Sequence, residues 1–80
     1  MENKIAVIAI IVSDINAVEN VNNILHGSRE YVIGRLGIPY REKNVSVISV
    51  VLDAPVEIIN GISGKLGMIN GVSSKVLTTK

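Results

Sequence analysis

At 80 residues and 8.6 kDa the chain has room for one domain, residues 1–80, and no second core. It has no Cys, which excludes disulfides and thiolate metal sites, and its formal charge of +1 is too weak a field to argue for nucleic acid. No cationic leader precedes the apolar run Ile5–Val12, which is also far short of the roughly 20 residues that span a bilayer. The expected compartment is therefore the cytoplasm, without membrane association.

Taken in order, Ile5–Val12 reads as a strand that is apolar on both faces, as a central strand covered on both sides would be. Ser13 to Asn16 ends it and starts a helix. Asn16 is the expected cap, with Glu19 completing a capping box, and Asp14 is the rival. Val18, Val21 and Leu25 recur at helical spacing, and Gly27 is expected to close the helix in a left-handed conformation. The second strand runs over roughly Tyr31–Ile38, with Val32, Gly34, Leu36 and Ile38 on one face and Tyr31, Ile33 and Arg35 on the other. Pro39 and the polar stretch Tyr40–Asn44 then turn the chain into a hairpin with Val45–Leu52.

This third strand places Ile48, Val50 and Leu52 on one side and Val45, Val47 and Val51 on the other. Pro55 suits the first position of a second helix, whose stripe is Val56, Ile59, Ile62 and Leu66. Gly61 and Gly64 each cost about 1 kcal/mol in a helix interior. They are read as marks of tight helix–sheet packing. Gly67 ends the helix, Asn70-Gly71 turns, and Val72–Thr78 is a more polar edge strand.

The order β-α-β-β-α-β predicts an α+β, ferredoxin-like plait: a four-stranded antiparallel sheet with two helices on one face. The first and third strands, apolar on both sides, take the two central places. Half of their apolar residues, Val45, Val47 and Val51 among them, then lie on a face without helices. An apolar face of that kind marks an interface. The expected assembly is a homo-oligomer, either a dimer through the helix-free faces or a tetramer if strand edges pair as well.

The chemistry-bearing residues support no catalytic constellation. His26 is the single histidine, with no Cys or second His to share a metal, so no metal site or cofactor is expected. The serines have no histidine-based triad, and the chain is not expected to be an enzyme. Gly64-Lys65 closes a helix rather than opening one after a strand, so it is not a phosphate loop. An RNA-binding sheet needs aromatics, and Val and Ile cannot replace them. Arg35, Arg41, Glu42 and Lys43 form the densest charge, around the hairpin, and Arg35 in mid-strand calls for a partner. The candidate ligand-binding residues are Asp14, Asn16, His26, Arg35 and Arg41, and the candidate oligomer interface is Val45, Val47 and Val51.

Leu25-His26, the run from Arg35 to Lys43, Ser63-Gly64-Lys65-Leu66-Gly67 and Gly71-Val72 carry a family resemblance extending over Asn16 to Lys75. With these motifs the chain resembles the small proteins named as regulators of the iron-only hydrogenase system. They are similar to ACT domains and to the C-terminal domain of the nickel-responsive repressor. The resemblance implies an ACT-like, ferredoxin-like fold, oligomerisation through the sheet, and a small ligand or a protein partner of the hydrogenase system. The expected function is thus a non-catalytic oligomeric regulatory module. The alternative is a metal or small-molecule sensor using His26 and the hairpin charges.

Overall fold

The computed structural model describes residues 2–79. Its strands are β1 (Asn3–Val12), β2 (Val32–Tyr40), β3 (Val45–Pro55) and β4 (Val72–Thr78); its helices are α1 (Val18–Gly27) and α2 (Val56–Gly67). The antiparallel sheet has the order β2-β3-β1-β4, so the two strands apolar on both faces are the central ones. This is the expected ferredoxin-like plait.

One face of each central strand is fully used. Ala6, Ile8, Ile10 and Val12 of β1 and Ile48, Val50, Leu52 and Ala54 of β3 are buried beneath the helices. Val21 and Leu25 of α1 and Ile59, Ile62 and Leu66 of α2 close over them. Burying side chains of this size stabilises by roughly 1.5–3 kcal/mol each.

Several local expectations are corrected. The N-terminal cap is Asp14, not Asn16: its Oδ1 accepts from Asn16 N at 2.9 Å and starts a 3-10 turn, Ile15–Ala17, that leads into α1. A carboxylate two residues before the amide reaches it more directly than a box closed from Glu19. Gly27 is not left-handed; among the described residues positive φ is confined to Asn44 (55°) and Gly71 (83°), while Gly67 ends α2 as expected. Both helices instead tighten at their ends, with Ser28 N donating to Leu25 O at 3.1 Å and Met68 N to Lys65 O at 3.2 Å. Pro55 sits one residue earlier than expected, at the cap of α2. Gly61 and Gly64 are exposed, and a Cβ on either would meet nothing within 4 Å, so no close helix–sheet approach requires them.

The faces of β2 also differ from the alternating pattern. Val32 pairs with Leu52 but Gly34 pairs with Val51, so Ile33 is an extra residue, a β-bulge. One inserted residue flips everything before it, which sends Val32 to the core side, apart from Leu36 and Ile38 on the helix-free face. The strand continues through Pro39 to Tyr40, and Arg41–Lys43 with left-handed Asn44 makes the turn.

Candidate functional site

The end of the molecule where β1 stops is built around a single non-local contact. Ser13 N donates to Gly71 O at 2.7 Å and Ser13 Oγ donates to the same carbonyl at 3.1 Å. Gly71, at φ 83°, presses so closely that a Cβ there would lie 2.6 Å from Asp14 Cβ. This clamp holds the turn after β1 against the entry to β4. Asp14 is thereby fixed with one carboxylate oxygen on the Asn16 amide. Asp14→Ala should lower stability by about 1 kcal/mol through loss of that cap, as a drop in the urea midpoint with an unchanged slope.

An open cleft of about 540 Å³ lies beside the clamp, lined by Val12, Ser13, Asp14 and Ile15 on one side and Pro39, Tyr40, Arg41, Asn44, Val45 and Ser46 on the other. The β1–β3 register, Val12 against Ser46, brings the first turn and the hairpin to the same end of the sheet. The hairpin is braced by Tyr40 OH donating to Glu42 Oε2 at 3.0 Å and by Asn44 N donating to Arg41 O at 3.1 Å. The cleft therefore offers a guanidinium, a carboxylate, hydroxyls and an apolar floor. Such a mixture orients a small polar molecule by a few contacts on an apolar base. A depression of about 360 Å³ on the other side of Asp14 is lined by Asn16, Asn20 and Met68 to Asn70.

Of the five candidate ligand-binding residues, Asp14 and Arg41 share the cleft, and Asn16 lies in the adjoining depression. His26 is in the last turn of α1, at the far end of that helix, where its carbonyl accepts from Arg29 Nη1 at 3.0 Å. Arg35 has its partner within the chain: Nη2 donates to Asn22 Oδ1 on α1 at 2.8 Å. The structure thus does not bring His26 and the hairpin charges together. No group of three or more His, Cys, Asp or Glu able to hold a metal occurs among the described residues.

The second feature is the helix-free face of the sheet. Val45, Val47 and Val51 lie on it, as expected. Val7 and Ile11 are the first strand's share of this face, by period-two alternation from the buried Ile8 and Ile10, and Leu77 joins them from β4. Leu36 is 61% exposed, Ile38 and Ile11 are each 48%, Leu77 is 74% and Val47 is 37%. The register sets Ile38, Val47 and Ile11 side by side across three strands, and Val51, Val7 and Leu77 in a second row. Val45 and Tyr40 belong both to this face and to the cleft. Among the described residues, no helix is long and apolar enough to cross a membrane.

Comparison with known proteins matches residues 4–76 to the TM1266-like family, described as "Iron-only hydrogenase system regulator, putative". No curated protein matches the chain. The structure of the uncharacterized protein TM1266 from Thermotoga maritima superposes with a TM-score of 0.93 at 36% identity, covering 99% of this chain and 100% of that one. A formyltetrahydrofolate deformylase from Pseudomonas putida KT2440 superposes at a TM-score of 0.65 and 14% identity, over 90% of this chain but 28% of the enzyme. That second likeness is one of fold alone. With 73 consecutive residues, 4–76, matched, the chain belongs to the TM1266-like family.

Proposed function

We propose that the chain is a non-catalytic regulatory module of the cytoplasmic hydrogenase system, working as a homo-oligomer joined through the helix-free sheet face. Its end cleft takes a small ligand or a segment of a protein partner. The bare apolar face carries this reading. The 8.6 kDa chain exposes 5454 Å². A folded monomer of that mass is expected to expose about 4,700 Å². The excess, on the order of 750 Å², is close to the roughly 800 Å² that each partner contributes to a standard interface. Packing two such faces puts the helices outside and gives the central strands cover on both sides.

The non-catalytic reading is supported by the disposition of the polar groups. Ser13, Tyr40 and Ser46 line the cleft, while the one histidine is at the other end of α1. No nucleophile–base pair results. What the cleft offers is recognition, with Arg41 as its cation.

Capture of hydrogenase maturation proteins from the native host by the tagged chain tests this role for the cleft. Arg41→Ala should reduce capture several-fold while leaving unfolding stability within about 0.5 kcal/mol, as surface changes generally do. Equal capture by the variant would make the hairpin merely a solvated turn.

A further inference from the structure

An asparagine followed by glycine is open to loss of its side-chain amide, because no Cβ shields the next backbone nitrogen from the asparagine Cγ. The chain carries two such pairs, Asn60-Gly61 and Asn70-Gly71, and the fold treats them oppositely. Asn60-Gly61 lies inside α2, where the Gly61 N–H belongs to the helical ladder and both residues are held in helical conformation. Asn70-Gly71 occupies the exposed turn between α2 and β4, closed by Val72 N donating to Ile69 O at 3.3 Å. Among the described residues the Gly71 N–H donates to no acceptor.

We infer that Asn70 is a site of self-modification, at which the Gly71 nitrogen displaces the side-chain amide and the resulting isoaspartate releases the clamp on Ser13. The Gly71 nitrogen, its proton removed by base, attacks Asn70 Cγ. The N–Cγ bond forms and the Cγ–Nδ2 bond breaks. Ammonia leaves, taking up a proton, and a five-membered imide remains. Water then opens the imide at either carbonyl. Attack at Cγ gives aspartate; attack at the main-chain carbonyl gives isoaspartate, with the chain rerouted through Cβ and Cγ.

The neighbourhood turns this chemistry into a structural switch. Isoaspartate adds one main-chain atom immediately before Gly71. That residue has no slack: at φ 83° it presses on Asp14, where a Cβ would come within 2.6 Å of the Asp14 Cβ. Its carbonyl is fixed by Ser13 N at 2.7 Å and by Ser13 Oγ at 3.1 Å. A longer link on the α2 side therefore moves the Gly71 carbonyl off Ser13. The product also carries a new carboxylate, on a residue that lines the same depression as Asp14. Two like charges there oppose re-forming the contact. Loss of ammonia to solvent makes the step one-way, so the fraction modified records the age of the protein. This chemistry is independent of whatever the end cleft binds.

Purified protein held in warm, mildly alkaline buffer tests it. Peptide mass spectrometry locates the lost amide, and an isoaspartate-specific protein methyltransferase labels the rearranged product. Asn70 should be converted while Asn60 lags by at least about tenfold, because a helix opens less often than a turn. The isoaspartate form, separated by ion exchange, should melt roughly 4–8 °C below the fresh protein, the effect of about one net hydrogen bond in a domain of this size. Asn70→Asp has the charge without the added main-chain atom and should fall by a smaller amount. Asn70→Gln, whose longer side chain disfavours the ring, should stay unlabelled and keep its melting temperature through the same incubation. An Asn70 amide that survives, or is lost no faster than that of Asn60, overturns the inference. So does an isoaspartate form that melts no lower than Asn70→Asp.

Discussion

Gly71→Ala should lower the melting temperature by more than about 10 °C, although it adds a single methyl group at an exposed position. Two effects combine. At φ 83° a side chain costs roughly 1–2 kcal/mol, because the left-handed conformation crowds Cβ against the backbone. The new Cβ would also sit 2.6 Å from Asp14 Cβ, with Asp14 N at 3.4 Å, so backbone as well as side chain must move. Overpacking of that kind adds about 1–3 kcal/mol. Relief would pull Gly71 O away from Ser13, whose N–H and hydroxyl both donate to it. In a domain of this size each kcal/mol is worth roughly 4–8 °C. Thermal unfolding followed by circular dichroism measures the effect. A fall of less than about 3 °C would mean that the clamp yields without loss.

Val47→Lys should halve the mass of the assembly. Val47 lies between Ile38 and Ile11 on the helix-free face, at the middle of its row. In an isolated chain a lysine there would keep its ammonium in water and change stability by about 0.5 kcal/mol or less. Sealed between two sheets it would be an unpaired buried charge, costing several kcal/mol per copy. Two copies together would raise the dissociation constant by more than about 10³-fold. Size-exclusion chromatography with light scattering reads the result. An unchanged mass would remove the face from the assembly.

The fold was legible because β1 and β3 alone are apolar on both faces, and an antiparallel four-stranded sheet has two central places. Their alternation also marked the bare face, since two helices cover one side of one sheet. The bulge at Ile33 was not legible. An apolar residue inserted among apolar residues leaves no break in the pattern, yet it transfers Val32 from one face to the other. Gly61 and Gly64 misled for a related reason: a glycine in a helix signals either close approach or nothing, and here a Cβ would meet nothing. Asn70-Gly71 is the expected turn, but it also bonds to Ser13 and presses on Asp14, across the fold. Local chemistry shows a turn; it does not show what the turn presses on.

The site was partly legible. Asp14 and Arg41 end up in one cleft because the β1–β3 register returns the hairpin to the end of the first strand. His26 and Arg35 were grouped with them by residue type. The length of α1 puts His26 at the opposite end, and Arg35 is engaged by Asn22 on the helix side of β2.

The central claim is that this chain works as an assembly, and its mass in solution tests that most directly. Light scattering on the unmodified chain at micromolar concentration should give two or four times 8.6 kDa. A folded particle of 8.6 kDa would contradict it, because the apolar face would then stand in water without a partner.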